Sequence, residues 1–229
     1  MTDIANVSDA QVYGIHASSY ATARSTSQNT TTGSSFSASQ NWNAQYEVYR
    51  GFIKFDTSVI PDSATILSVK LRLSVYAKLI SGGGTNYDVI IKKYDWSGSD
   101  PISSANKETV YDGALAAATD DNIWKNTADV VNDGTYESGL LNTAWINKTG
   151  PTYYAVMSSK DQAGTAPTGV ETLQIKGLSD ATPANRPWLV VTYSVTKISK
   201  ISGVAHTSIK KVAFVAIASA KKVAGVDNT

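Results

Sequence analysis

The sequence predicts an all-β protein: an antiparallel, jelly-roll-like β-sandwich followed by a short C-terminal β-repeat tail. Three observations predict it. Ser68-Val-Lys-Leu-Arg-Leu-Ser-Val-Tyr76 alternates strictly, with Val69, Leu71, Leu73 and Val75 set against Lys70, Arg72 and Ser74, which sends the apolar set to one face of a sheet. Other β-branched and aromatic runs are spaced by turn signals, without regular alternation with helices, which favours an antiparallel sandwich over a parallel α/β sheet. The final residues repeat with a period of 11.

In chain order, strands are expected at 10–14 and 20–25. The stretch 25–45 is polar and nearly free of aliphatic residues, with Thr30-Thr-Thr-Gly-Ser-Ser35 at its centre, and reads as an exposed loop or irregular edge. Residues 46–56 are rich in aromatic and β-branched types and form the next strand, and Pro61-Asp62 turns the chain into the alternating strand at 68–76. Gly82-Gly-Gly84 and Ser97-Gly-Ser99 bracket a strand at 87–96. Residues 114–147 form a long connection in which 114–118 and 136–146 are candidate short helices. Strands at 153–159, 171–177 and 188–195 follow, separated by loops at 165–169 and at Thr182-Pro183.

Composition and charge divide the chain into a sandwich domain, 1–196, and a basic repeat tail, 197–229. The tail carries six Lys and one Asp, a balance of +5, against 14 basic and 18 acidic residues in the first 196 positions, a balance of −4. Lys200-Ile-Ser-Gly-Val-Ala-His-Thr-Ser-Ile-Lys210 aligns with Lys211-Val-Ala-Phe-Val-Ala-Ile-Ala-Ser-Ala-Lys221 and then with Lys222-Val-Ala-Gly-Val226. An 11-residue period also suits a right-handed helical supercoil. The β-branched content and the matched Gly203 and Gly225 favour short strands joined at Lys-Lys corners. So few short repeats bury little apolar surface by themselves. Ile201, Val204, Ile209, Val212, Phe214, Val215, Ile217, Val223 and Val226 are therefore the expected assembly residues, in a homo-oligomer for which a trimer is favoured or on a docking surface.

Cysteine is absent, which excludes disulfides, thiolate metal sites and cysteine nucleophiles. Met1-Thr-Asp-Ile-Ala-Asn-Val-Ser8 has neither the basic nor the apolar region of a signal peptide, and no apolar run approaches the length of a membrane span. The sequence holds no G-x-S-x-G, H-E-x-x-H or phosphate-loop motif. Asp56, Asp88, Asp95, Asp100, Asp120 and Asp121 show no spacing that selects a glycosidase pair, so they read as surface acids and the protein as non-enzymatic. His16 and His206 are far apart; His206 stands where the next repeat has Ile217, so it reads as a residue of the repeat face. No cofactor is expected. Asp95, Ser97, Asp100, Asp120 and Asp121 offer hard oxygen ligands for a structural calcium, but without an ordered loop pattern.

The aromatic residues carry the binding expectation. Leu189, Val191 and Tyr193 share one face of the last strand, which turns Trp188 outward, while Trp42, Tyr94 and Trp96 adjoin polar loops. Such rings stack on sugars, although plugging the ends of a sandwich is their commoner use. Nucleic acid is not expected as a partner, since the tail has no Arg and the body is acidic.

Arg50-Gly-Phe-Ile-Lys-Phe-Asp56, Ile60-Pro-Asp-Ser-Ala-Thr-Ile66 and Val69-Lys-Leu-Arg-Leu73 together resemble the central motif of DNRLRE-type domains, which are carbohydrate-binding-module-like jelly rolls. Asn185-Arg-Pro-Trp-Leu-Val-Val-Thr-Tyr193 looks like their closing strand. Trp145-Ile-Asn-Lys-Thr-Gly150 and Tyr154-Ala-Val-Met-Ser-Ser-Lys-Asp161 are similar to segments of members from bacterial surface and phage structural proteins. The resemblance spans roughly residues 4–195. It implies core positions at Phe55, Leu71, Leu73, Leu189 and Tyr193 and structural polar groups at Arg50 and Asp56, and it assigns no sugar-binding residue. Its Lys-Lys-Val-Ala-x-Val tail resembles C-terminal repeats of phage structural proteins. Together these features lead to the expectation of a phage virion protein, either a head decoration or fibre or a tail-associated adhesin. Its expected partners are its own copies, other virion proteins and a host-surface glycan. The alternative is an extracellular polysaccharide-binding module of a cell-surface enzyme.

Overall fold

A computed structural model describes residues 1–118 and 122–195, and in the tail the backbone of 200–201, 204–205, 222–223 and 226–227. The chain begins with β1 (Thr2–His16), α1 (Tyr20–Ser25), β2 (Asn29–Thr31), β3 (Ser35–Ser37), β4 (Ser39–Trp42) and β5 (Tyr46–Asp56). It continues through β6 (Thr65–Ser81), β7 (Asp88–Lys93), α2 (Lys107–Ala116), β8 (Ile123–Asn126), β9 (Thr135–Glu137) and β10 (Pro151–Ser158). The body closes with α3 (Ser159–Ala163), β11 (Val170–Lys176) and β12 (Trp188–Ser194). The tail adds β13 (Lys200–Ile201), β14 (Val204–Ala205), β15 (Lys222–Val223) and β16 (Val226–Asp227). Backbone contacts divide the chain into two units, Met1–Tyr193 and Ser194–Thr229.

The body is an antiparallel β-sandwich, as its alternation predicts. Hydrogen-bonded strands run β2-β1-β12-β6-β11-β4-β5-β10-β7-β8, with β3 on β11 and β9 on β6. The long β1 makes two uses of its length: Thr2–Ala5 pair with β12, and Asn6–His16 pair with β5 across a bulge between Asn6 and Ser8. Likewise β5 pairs with β4 through residues 46–49 and with β10 through 51–56.

Side-chain alternation on β5 feeds two cores. Ile53 and Phe55 enter the inter-layer core with Val69, Leu71, Leu73, Val75, Leu173, Leu189 and Val191. Val48 and Phe52 enter a second core with Tyr20, Val110, Tyr111 and Met157 beneath α1 and α2. A strand buried on both faces loses simple polar alternation, which explains the dense apolar reading of 46–56.

The face beneath the helices also holds a buried ion pair. Arg50 donates from Nε to Asp161 Oδ2 at 2.7 Å and from Nη2 to Oδ1 at 2.9 Å, and both side chains are fully buried. Nη1 donates to the Tyr111 carbonyl at 2.7 Å and Nη2 to the Arg24 carbonyl at 2.9 Å, with the guanidinium 3.7 Å from the Tyr111 ring centroid. Arg24 adds a second cation 3.3 Å from Asp161. One bidentate arginine thus joins the end of α1, the middle of α2 and α3 to β5.

Three local expectations are corrected. Residues 20–25 are α1 rather than a strand: Ser19 Oγ accepts from the Thr22 amide, and Tyr20 and Ala23, three apart, face the core. The stretch 25–45 is not an exposed loop. It holds β2, β3 and β4 and buries Phe36, Ser37, Ala38, Ser39, Gln40 and Asn41. Polar composition concealed this burial because most of these groups are paired inside. Gln40 accepts from Tyr20 OH at 2.6 Å and donates to Glu171 at 3.0 Å, and Asn41 Oδ1 accepts from the Glu171 amide at 3.0 Å. Of the two helices expected in 114–147, the first belongs to α2, which starts at Lys107. Tyr136 of the second lies in β9, opposite Leu73, leaving only a 3-10 turn over Thr143–Trp145.

Candidate binding surface

The inter-layer core stops short of the end of β5, and Gly51 marks the boundary. A Cβ on Gly51 would collide with the Phe36 ring and come within 2.8 Å of Val156 Cγ2, so glycine lets Phe36 close the core at this point. Past Phe36, the same face of β5 carries Tyr49 and Glu47. Tyr13 of β1 is opposite Tyr49 on one side and Ser39 of β4 on the other, while Ile15 and Asn41 flank Glu47 in the same way. Tyr13, Tyr49 and Glu47 are half-buried.

The cross-strand tyrosines stack, with ring centroids 5.0 Å apart and planes inclined by 28°. Glu47 is held by neutral donors: Gln45 Nε2 donates to Oε1 at 2.8 Å, and Tyr49 OH and Asn41 Nδ2 donate to Oε2 at 3.0 and 3.4 Å. Burial, and then the adjacent Glu47 carboxylate, push the Tyr49 phenol well above its ordinary range, so it stays a protonated donor. Ser39 Oγ, on the same row, is buried without a hydrogen-bond partner among the described residues. The result is a half-open face with two stacked phenols, one carboxylate and two carboxamides. Its chemistry suits a ligand with apolar ring faces and many hydroxyls: the rings take the faces and the carboxylate accepts from the hydroxyls.

Of the four aromatics singled out from sequence, Tyr94 and Trp96 share the segment after β7 and both pack against Phe52, while Trp42 lies on β4 and Trp188 on β12. Trp42 is half-buried and lies 4.4 Å from Tyr46, its cross-strand partner on the face opposite the Tyr13–Tyr49 stack. Tyr94 packs against Gly113 of α2, and its hydroxyl donates to the Thr109 carbonyl at 3.3 Å. Trp96 is corrected outright. It is 2% exposed, sits edge-on to Phe52 and Tyr153 and directs Nε1 at the Tyr154 carbonyl, so it is a core residue with no ring face to offer. Trp188 is half-buried opposite Ala5, with Leu189 and Val191 interior on the alternate face. Tyr13, Asn41, Gln45, Glu47 and Tyr49 were not singled out. The signal available was the alternation Glu47, Tyr49, Gly51, Ile53, Phe55, in which polar aromatics continue a core face.

The acids are otherwise engaged. Asp56 caps the turn at Ser58, Asp88 accepts from Asn126 at 2.7 Å and Asp95 accepts from the Ser97 amide at 3.0 Å. Asp100 pairs with Lys54 at 2.5 Å, and Tyr153 OH is 3.3 Å away. His16 Nδ1 accepts from the amides of Ser18 and Ser19. Asp120, Asp121 and His206 lie outside the described residues, as do Ile209, Val212, Phe214, Val215 and Ile217 of the expected assembly set. Among the described residues, no group of three His, Cys, Asp or Glu side chains could hold a metal.

A separate cleft of about 250 Å³ is lined by Val7, Ser8, Asp9, Thr32, Gly33, Leu178 and Ser179. Its acid, Asp9, accepts from Asn6 Nδ2 at 2.8 Å and from the Leu178 amide, and burial raises its pKa against those two hydrogen bonds. No family model matches the chain, and a search of curated proteins returned no match.

Proposed function

We propose that the chain is a non-enzymatic, glycan-binding structural protein of a phage virion, a decoration, fibre or tail-associated adhesin, in which the sandwich recognises sugar and the tail joins copies. The observation that carries the binding half is the stacked Tyr13–Tyr49 pair beside Glu47, whose carboxylate is held by neutral donors and, among the described residues, by no cation. That pairing of ring faces and acceptor is the chemistry a hexose requires. Of the acids considered for sugar cleavage, Asp56 and Asp95 are turn caps and Asp100 is an ion-pair partner, which supports binding without turnover. The virion setting rests on the resemblance of 4–195 to DNRLRE-type domains of bacterial surface and phage structural proteins, and of the tail to repeats of phage structural proteins. The same face would equally serve a polysaccharide-binding module of a cell-surface enzyme.

The test is binding of the full chain to a panel of immobilised bacterial-surface oligosaccharides, alongside Tyr49→Ala and Glu47→Gln. The reading expects a saturable ligand lost at least tenfold in both variants, with no sugar released on prolonged incubation. Binding unaffected by either substitution, or no binding across the panel, would overturn it.

A further inference from the structure

The bulge in β1 brings two polar side chains onto a face that is apolar on the neighbouring strand. Asn6 is opposite Phe55 and Asp9 opposite Ile53, both core residues of β5, with the register shift between Asn6 and Ser8. Residues three apart in a regular strand point to opposite faces. The extra residue of the bulge instead puts Asn6 and Asp9 on one side, where Asn6 Nδ2 donates to Asp9 Oδ2 at 2.8 Å. Asn6 is 2% exposed and Asp9 6%. A carboxylate so placed is costly unless it is paired with a cation or coordinates a metal.

Asp9 lacks that pairing. Among the described residues no cation lies against it, and its two hydrogen bonds, from Asn6 Nδ2 and from the Leu178 amide, both fall on Oδ2. Oδ1 is left without a donor among the described residues. Asn6 Oδ1, on the carboxamide bonded to Asp9, is buried and likewise has no partner among them. Both of these atoms are acceptors, and what they lack is something positive.

Gly177, just past the end of β11, shows where the oxygens converge. A Cβ there would stand 3.0 Å from each Asp9 carboxylate oxygen and 3.1 Å from the Gly33 carbonyl oxygen. Glycine therefore keeps open a point faced by three acceptor atoms. In the adjoining cleft of about 250 Å³ the polar side chains are Ser8, Asp9, Thr32 and Ser179, all oxygen groups, and none is a Lys, Arg or His.

We propose that this cleft is a calcium site, in which the Asp9 carboxylate, the Gly33 carbonyl and the Asn6 carboxamide oxygen hold the cation and water fills its remaining positions. Oxygen-only donors select calcium or magnesium over the transition metals. Magnesium demands a near-ideal octahedron, whereas calcium accepts irregular sets of carboxylate, carbonyl and water oxygens. A single carboxylate makes a weak site, with a dissociation constant on the order of 10⁻⁴ to 10⁻³ M. Burial raises the pKa of Asp9, in keeping with a carboxylate that has no counter-charge in the chain around it. The site is distinct from the acids expected from sequence to offer calcium ligands, of which Asp95 caps a turn and Asp100 pairs with Lys54. It does not rest on sugar recognition.

The experiment is calorimetric titration of the EGTA-stripped full chain with calcium chloride or magnesium chloride, with thermal unfolding in parallel. The expected result is one saturable calcium site per chain, magnesium binding at least about fivefold weaker, and a melting midpoint a few degrees higher in about 10 mM calcium. Asp9→Asn keeps the shape of the side chain and an acceptor for the Leu178 amide, and abolishes the calcium response. In EGTA the same variant melts at or above the parent, because an uncompensated buried charge has gone. Gly177→Ala leaves Asp9 in place but fills the point of convergence with a methyl, and weakens calcium at least about tenfold. Neither heat nor a midpoint shift for the parent in about 10 mM calcium, or a calcium response that survives both substitutions, would overturn the proposal. So would an Asp9→Asn chain that melts below the parent by the same margin in EGTA and in calcium, since Asp9 would then act only within the fold.

Discussion

The two faces of β5 treat a carboxylate in opposite ways. On the face beneath the helices, Asp161 is fully buried and matched by the bidentate Arg50, with Arg24 beside it. On the other, Glu47 is half-buried and, among the described residues, is held by a phenol and two carboxamides. A charge taken wholly out of water requires an opposite charge and complete hydrogen bonding, so Asp161 belongs to the fold. Glu47 is left partly open to solvent, which is why it enters the proposed binding face. Burial and the identity of the donors therefore separate a structural acid from one at an open face, though both lie on or against the same strand.

The largest expected effect breaks the closed face. Asp161→Ala leaves Arg50 as an uncompensated buried cation and should cost about 3–5 kcal/mol, read as a fall in the urea midpoint with loss of sugar binding secondary to unfolding. Next is the boundary between closed core and open end. Gly51→Ala drives a methyl into Phe36 and Val156 and should cost about 1–3 kcal/mol by overpacking; an unchanged midpoint would mean that Phe36 swings aside without penalty. On the open face Glu47→Gln should cost less than about 1 kcal/mol of stability, as a substitution outside the core does, while weakening the proposed sugar binding at least tenfold. A large stability loss there would make Glu47 a structural group like Asp161.

The smallest effect sharpens the closed face through pH. Lys92 donates to the Leu115 carbonyl and to Gln162 Oε1 at 2.8 Å each. Burial, then Arg50 and Arg24, push its pKa down to about 8 against the pull of Asp161. The unfolded chain holds that proton up to about 10.5, so between the two values the unfolded state binds more protons and stability rises with pH. Above about pH 10 the trend reverses, because burial also holds the Tyr20, Tyr111 and Tyr154 phenols protonated in the fold while unfolded tyrosines ionise. Urea midpoints should therefore climb modestly from about pH 7.5 to about pH 9.5, and climb less in Lys92→Met, where the half-buried Lys93, also lowered by burial, still contributes.

Much of the fold was legible. The alternation of Val69, Leu71, Leu73 and Val75 placed β6 and its buried face correctly, and the core positions Phe55 and Leu189 are fully buried. The candidate surface was not legible in the same way. Exposure of a tryptophan cannot be read from polar neighbours alone: Trp96 follows a strand and precedes Ser-Gly-Ser, yet Phe52 and Tyr153 enclose it. Conversely, the polar stretch holding Gln40 and Asn41 contains buried strands, because those amides find partners on β11.

The sequence by itself determined the class of the protein: that the body is an antiparallel sandwich with strands at runs such as 46–56 and 68–76, that no thiol chemistry is available, and that a basic tail repeats every 11 residues. Tertiary structure alone decided which polar groups became structure and which became surface. Periodicity is a local property, fixed by the two-residue repeat of a strand, and it survives in the order of the residues. Burial and pairing depend on groups distant in the chain, such as Arg50 with Asp161 or Tyr13 with Tyr49, and only the folded topology brings those together.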